Sequence, residues 1–107
     1  MWKLRLTDEA NDDLAAIAVF IAQSSGNRRT GTRFKNRLKA RCKKLARLPQ
    51  IMGRSRSELA EGLRSVPEGN YLIFIRYIGD TLEIVMFSEG SRDFEALFGS
   101  QDEPDAS

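Results

Sequence analysis

Apolar and polar residues follow two different periods along the first half of the chain. Residues 2–7 alternate between apolar and polar side chains, which is typical of a half-buried strand. Thr7 then predicts the N-cap of a first helix, whose apolar stripe recurs every three or four residues until about Ser24. A second helix of the same period is predicted from near Asn27 to the residue before Pro49, and Gly31 is expected to weaken its first turns.

The second half of the chain predicts three antiparallel strands. Residues 63–66 form a short strand and residues 67–70, which include a proline, form a turn. Two runs rich in aromatic and β-branched residues follow, at 71–78 and 82–87, and Gly79 and Asp80 between them fit a two-residue hairpin loop. The stretch 50–62 is predicted to be irregular.

The hairpin loop sets the register of the two long strands. It predicts the cross-strand pairs Arg76–Glu83, Ile75–Ile84, Phe74–Val85, Ile73–Met86 and Leu72–Phe87. Both faces of the hairpin are then apolar over most of their length, so each face needs a cover, and another protein could supply one of them.

Residues 1–98 are predicted to form a single α+β domain, with an N-terminal strand, a helical hairpin and a small sheet. Residues 92–98 could make two turns of a short C-terminal helix with Phe94, Leu97 and Phe98 on one side. The small and acidic residues 99–107 are expected to be a disordered tail.

Composition narrows the chemistry that the chain could perform. Apolar residues make up 41% and charged residues 30%, which is ordinary for a soluble globular protein. No apolar run approaches the roughly 20 residues needed to span a bilayer, and the N-terminus lacks a signal-peptide pattern, so the cytoplasm is the expected location. Cys42 is the only cysteine and histidine is absent, so we expect no internal disulfide, no metal centre and no cofactor.

Charge is unevenly distributed although the net charge is only +2. Twelve Lys or Arg residues and no acidic residue lie between Asn27 and Ser57. Such a basic half indicates a polyanion or an acidic protein as the partner. The alternative is a helix face that is simply solvated. Direct nucleic-acid binding is the weaker of the partner hypotheses because no helix-turn-helix, zinc or RNA-recognition motif accompanies the basic run.

Several short motifs in a fixed order carry a resemblance to a known family. They are Leu48-Pro49, Gly53-Arg54, Glu58-Leu59, Gly62-Leu63-Arg64, Gly69-Asn70-Tyr71-Leu72-Ile73, Glu83-Ile84-Val85 and Gly90-Ser91-Arg92-Asp93. With the helices before them, they make residues 2–98 resemble the ParE branch of the ParE/RelE toxins of bacterial toxin–antitoxin systems. The resemblance implies a β-α-α-β-β-β order with a mainly antiparallel sheet.

The resemblance also implies a function and partners. A ParE-like toxin inhibits DNA gyrase, a type II topoisomerase, by binding rather than by chemistry of its own. A cognate ParD-like antitoxin, with a ribbon-helix-helix or similar DNA-binding domain and an acidic C-terminal tail, would neutralise it. We expect the antitoxin to contact Arg33, Arg37, Arg41, Lys44, Arg64 and Arg76, the last of which Glu83 already neutralises in the predicted register. We expect the target to contact Arg92, Asp93, Phe94, Leu97 and Phe98, unless Phe94 and Leu97 simply cover the open side of the sheet.

Two other functions remain open. One is a ribosome-dependent messenger RNA endonuclease of the RelE kind, which needs cations at the scissile phosphate and a proton-transfer group. Arg64 matches that family pattern, but Met86 stands where an arginine is usual and Glu89 where a histidine is frequent, so RNA cleavage is the weaker hypothesis. The other is a family member that only binds its antitoxin and is not toxic.

Overall fold

The computed structural model describes residues 1–90. The predicted C-terminal helix at 92–98, the predicted target contacts within it and the predicted acidic tail at 99–107 lie outside the described residues. Within residues 1–90 the elements are β1 (Lys3–Leu6), α1 (Asp8–Ser25), α2 (Arg28–Arg47), β2 (Arg54–Ser55), β3 (Arg64–Glu68), β4 (Tyr71–Ile78) and β5 (Thr81–Glu89). The α+β class and the order of elements are confirmed, with β2 as a short addition inside the stretch predicted to be irregular.

The strands form one mixed sheet in the order β1-β5-β4-β3-β2. β1 runs parallel to β5, and all other neighbours are antiparallel. Thr7 connects this sheet to the first helix, because its Oγ1 donates a hydrogen bond of 2.7 Å to the carbonyl oxygen of Val85 and accepts one of 3.0 Å from the backbone N–H of Ala10. One threonine therefore both docks the end of β1 on β5 and caps α1.

The two helices cross at very short distance where Gly31 of α2 meets Ala18 of α1. Gly31 is buried, and a Cβ added to it would lie 2.2 Å from the carbonyl oxygen of Ala18. The sequence predicted only that this glycine would weaken α2. The structure gives it a packing role instead, since any side chain there would push the helices apart.

The hairpin register agrees with the prediction only near the loop. Arg76–Glu83 and Ile75–Ile84 pair as expected, but a bulge then shifts β5 by one residue. The predicted pairs Phe74–Val85, Ile73–Met86 and Leu72–Phe87 are wrong, and the observed ones are Phe74–Met86, Ile73–Phe87 and Leu72–Ser88. The extra residue of the bulge is Val85, and both Val85 and Met86 pack on the sheet face opposite the helices.

The turn before β4 is also shorter than predicted. Pro67 pairs with Leu72 inside β3, and only Gly69 and Asn70 connect the strands. Gly69 has φ of +61°, a conformation that glycine adopts without strain. Pro67 is tolerated because, within residues 1–90, β2 pairs only with Arg64 and Ser65 and leaves the edge of β3 open beyond them.

The sheet has apolar residues on both faces. The main core lies between the helices and the sheet and includes Leu14, Leu38, Leu45, Ile75 and Ile84. We call the opposite surface the far face. It carries a second cluster, in which buried Leu63, Phe74 and Met86 pack with partly buried Leu59, Ala60, Leu72 and Val85. Within residues 1–90, neither helix has the length and apolar character that crossing a bilayer requires.

Candidate functional site

Four cationic residues form a row along α2, and we call this row the basic stripe. Arg33, Arg37, Arg41 and Lys44 are spaced by four, four and three residues, so they share one side of the helix. All are exposed except Arg41, which is half-buried. The sequence predicted these four as antitoxin contacts, and the structure brings them together.

Glu68, at the end of β3, connects the basic stripe to the sheet. Its Oε2 accepts a hydrogen bond of 3.0 Å from Nε of Arg37, and its Oε1 lies 3.4 Å from Nε of Arg41. The Arg41 contact is an ion pair without hydrogen-bond geometry. Arg37 is exposed, and ion pairs at the surface contribute about 0.2–1 kcal/mol, so a partner's carboxylate could replace Glu68 at Arg37 at small cost.

An aromatic groove begins beside the basic stripe. The rings of Phe34 and Tyr71 lie 5.4 Å apart, and the guanidinium of Arg37 lies 5.3 Å from the centre of the Phe34 ring. Together with Phe20, Ile21, Gly69, Asn70 and Glu89, these residues line a hollow of about 330 Å³. A second hollow of about 320 Å³ continues from it past Phe20, Tyr71 and Glu89 to the residues Asp13, Ala16, Ile17, Phe87 and Ser88.

The groove contains apolar surface that the fold leaves open. Phe20, which lines both hollows, is 58% exposed. Burial, and to a smaller extent the charge of Glu89, raises the pKa of Tyr71 further above neutral pH. Its hydroxyl is therefore uncharged. An apolar trough with cations along one rim suits an amphipathic segment that has acidic residues on one side.

The other two predicted antitoxin contacts lie elsewhere. Arg64 donates from Nε to the carbonyl oxygen of Met52 at 2.8 Å and from Nη2 to that of Gly53 at 2.7 Å. Arg76 lies on the far face, where Arg76 and Arg5 both donate to the buried carboxylate of Glu83, at 3.2 Å and 2.6 Å. The structure therefore does not bring these two arginines into the basic stripe.

A comparison with family models identifies the kind of protein. The model described as ParE toxin of type II toxin-antitoxin system, parDE, matches residues 4–94. The chain belongs to the ParE toxin family. The resemblance seen in the sequence is thus confirmed, and an antitoxin of the ParD kind is the partner that this family membership implies.

Solved structures support the same fold for this ParE-family chain. A chain from the structure titled "Chromosomal ParDE TA system from P. aeruginosa" superposes with a TM-score of 0.73 at 22% sequence identity. The match covers 83% of the present chain and 96% of the other. A comparison with curated protein sequences gave no significant match.

In this ParE-family chain, the positions that matter for the RNA-cleavage hypothesis do not form one cluster. Arg64 pairs with Ile75 and shares its helix-facing side of the sheet, whereas Met86 is buried in the far-face cluster. The hydroxyl of Tyr77 accepts a hydrogen bond of 3.1 Å from the backbone N–H of Met52, and its ring packs edge-on against Trp2 at 4.6 Å. Tyr77 is thus a packing residue that holds a loop.

Two further groups could be mistaken for reactive sites. Burial raises the pKa of the Cys42 thiol to about 12, so it remains protonated and unreactive at neutral pH. Asp13 of α1 accepts a hydrogen bond of 3.0 Å from the backbone N–H of Phe87, at the part of β5 that extends beyond its pairing with β1. Sequence reasoning missed Asp13, because nothing local to either residue links positions 13 and 87. Among residues 1–90, no three His, Cys, Asp or Glu side chains are grouped to hold a metal ion.

Proposed function

We propose that this ParE-family chain inhibits DNA gyrase by binding it in the cytoplasm, and that a ParD-like antitoxin neutralises it. The observation that carries the antitoxin part of the proposal is the basic stripe beside an open aromatic groove, while the gyrase part is supported by membership of the ParE toxin family. This combination supports capture of a protein segment, because cations fix its acidic side while the groove buries its apolar side.

The antitoxin is proposed to bind through Arg33, Arg37, Arg41 and Lys44. Arg37 and Arg41 would exchange Glu68 for carboxylates of the antitoxin, while Phe20, Phe34 and Tyr71 would receive its apolar side chains. Arg64 and Arg76, which the sequence also predicted, already donate to groups within the chain. Contacts through them would have to displace those groups.

Gyrase is proposed to contact Arg92, Asp93, Phe94, Leu97 and Phe98 of the C-terminal segment. The support for this step is the mixed composition of the segment, since aromatic residues and arginine are common in interaction hot spots. In this proposal the toxin acts by binding, without cleaving any bond itself.

The proposal is tested with the purified chain, DNA gyrase and the antitoxin encoded beside it. We expect the chain to inhibit supercoiling and to increase cleaved DNA, and we expect the antitoxin to reverse both effects. Failure to affect gyrase at large excess would contradict the target. Codon-level cuts in cellular transcripts would then indicate RelE-like activity, and unchanged growth without antitoxin would indicate a non-toxic binder.

A matched pair of charge reversals tests the antitoxin surface separately. Arg33→Glu with Lys44→Glu changes the exposed ends of the basic stripe, whereas Lys39→Glu with Lys43→Glu makes the same charge change on the side of α2 next to β1. We expect only the first pair to weaken antitoxin binding strongly while gyrase inhibition persists. Equal weakening by both pairs would contradict a specific role for the stripe.

A further inference from the structure

The far face of the sheet has apolar surface that the helices do not cover. β4 and β5 contribute Leu72, Phe74, Val85 and Met86 to it, and the bulge in β5 places two consecutive apolar side chains there. Within residues 1–90, the loop before β3 packs against this cluster through Leu59 and Ala60. Phe74 and Met86 are already buried, so the open part of this surface is formed by Leu72 and Val85, which are half-buried.

The described part of the chain ends at the border of this surface. The backbone N–H of Gly90 donates a hydrogen bond of 2.7 Å to the carbonyl oxygen of Asn70. At that corner is a hollow of about 590 Å³, and far-face residues Arg56, Pro67 and Leu72 line it together with Glu89 and Gly90. Gly90 therefore lies beside the half-buried Leu72 of the far face.

The residues after Gly90 have the chemistry that this surface needs. Phe94, Leu97 and Phe98 recur at helical spacing, so a helical turn would place them on one side. Residues 1–90 contain sixteen Lys or Arg and ten Asp or Glu, whereas residues 91–107 contain one Arg and five acidic residues. The far face carries the guanidinium groups of Arg5, Arg56 and Arg76. Glu83 pairs with Arg5 and Arg76, and Glu58 lies 3.9 Å from Arg56, so these groups together have one excess positive charge. Asp93 and Glu95 carry the opposite charge.

The aromatic groove on the helix side starts at the same corner but fits this segment less well. Among residues 1–90, Glu89 lines both hollows of the groove. One hollow adds the carboxylate of Asp13, and the other adds Arg37, which already pairs with Glu68. Asp93 and Glu95 would meet like charges there, and like charges at an interface are unfavourable.

We propose that the far face is the docking site of the chain's own residues 91–98. Phe94, Leu97 and Phe98 pack on Leu72 and Val85, and Asp93 lies near Arg56. The segment thereby completes the second apolar layer of the sheet, on the side opposite the basic stripe. Side chains packed on the sheet cannot contact gyrase at the same time, so this inference is an alternative to the gyrase contacts proposed above for Phe94, Leu97 and Phe98. It does not depend on gyrase being the target.

Crosslinking in the full-length chain tests the proposal, with Cys42→Ala removing the native thiol. Leu72→Cys with Phe94→Cys places a pair across the proposed contact, and Phe20→Cys with Phe94→Cys is the matched pair for the helix-side groove. We expect mild oxidation at low concentration to give an intramolecular disulfide in the first protein and little in the second. A dominant helix-side disulfide, a dominant intermolecular dimer or no disulfide in either protein would overturn the proposal.

Hydrogen exchange gives an independent readout that needs no new cysteine. We expect Phe94→Ser with Phe98→Ser to speed amide exchange in β3 and β4 several-fold and to leave α1 unchanged. Phe20→Ser, which removes an exposed aromatic ring on the helix side, should leave exchange in β3 and β4 as it is. Unaltered exchange in the first variant would contradict docking on the far face.

Discussion

Arg37 of α2 and Glu68 of β3 are joined by a hydrogen bond of 3.0 Å from Nε to Oε2 across 31 positions of sequence. The same carboxylate also faces Arg41, so one acidic residue of the chain occupies the centre of the basic stripe. An acidic partner must compete with it. Glu68 therefore limits how strongly the stripe attracts a partner before contact.

Glu68→Gln should accelerate association with an acidic antitoxin. The substitution keeps the side-chain size but removes the negative charge next to Arg37 and Arg41, and electrostatic attraction acts mainly on the association rate. We expect the rate constant, measured by stopped flow at low salt, to rise several-fold and to depend more steeply on salt. Glu61→Gln makes the same charge change at an exposed position in the loop before β3. An equal gain in that control would mean that only net charge matters.

Gly31→Ala tests whether helix propensity or helix packing decides the role of this residue. Propensity alone would stabilise α2 by about 1 kcal/mol, whereas overpacking a core costs about 1–3 kcal/mol. The added Cβ would lie 2.2 Å from a backbone carbonyl oxygen, which no rotamer change can move. We therefore expect the overpacking cost to exceed the gain in helix propensity. The free energy of unfolding, measured in urea from the fluorescence of Trp2, should therefore fall.

The sign of the change in unfolding free energy on Gly31→Ala decides between packing and propensity. Thr32→Ala changes the next position, which is exposed, and should alter stability little. If Gly31→Ala were more stable than the native chain, the two helices could move apart at Gly31 without loss of free energy. The close crossing would then not contribute to stability.

Features of the fold that have a local cause were predictable from sequence. Thr7 does cap α1, α2 does begin beside Asn27 and end before Pro49, and the loop at Gly79 fixes the nearest pairs of the hairpin. The bulge at Val85 was not predictable, because apolar residues fill both faces of β5 there and a shift of one residue leaves no mark on the pattern.

Some features of the candidate site were likewise predictable from sequence, and others were not. The helical spacing of Arg33, Arg37, Arg41 and Lys44 is visible in sequence, so the basic stripe could be predicted. The position of Glu68 could not, since residues 67–70 had the composition of a turn and gave no sign of facing α2. Arg64 and Arg76 looked equivalent to the other arginines, and only the folded chain shows which acceptors they already bind.

Arg64→Lys separates a structural role of this residue from a role in partner binding. Arginine reaches the carbonyl oxygens of Met52 and Gly53 with two fixed donors, a geometry that lysine does not reproduce. We expect a loss of about 1–2 kcal/mol in unfolding free energy, as for one or two hydrogen bonds of a charged group. Antitoxin affinity, measured by calorimetry, should stay unchanged. Arg54→Lys is the control on the exposed neighbouring strand. Full stability with weakened antitoxin binding would instead make Arg64 a partner contact.

The hydrogen bond between Asp13 and Phe87 predicts that the stability of the chain depends on pH. Burial raises the pKa of the Asp13 carboxyl, the hydrogen bond from Phe87 lowers it by less, and the charge of Asp12 raises it further. Because the folded-state pKa lies above the unfolded value, folding favours the protonated form. The contribution of Asp13 to stability is therefore full below its unfolded pKa, near the ordinary value of 3.8, and is lost as pH rises through the folded pKa.

Asp13→Asn isolates this effect, since the amide oxygen can still accept the hydrogen bond from Phe87 but does not ionise. At pH 7 we expect the variant to be more stable than the native chain, and the difference should shrink as pH falls through the folded pKa of Asp13.

Two controls complete the test. Asp13→Ala loses the acceptor at every pH, which should cost about 1 kcal/mol. Asp12→Asn, an exposed neighbour, should change the profile only slightly. Urea unfolding between pH 3 and pH 7 measures all four proteins. If the stability difference between Asp13→Asn and the native chain stayed constant with pH, the raised pKa would be contradicted. Asp13 would then affect stability only through its hydrogen bond with Phe87.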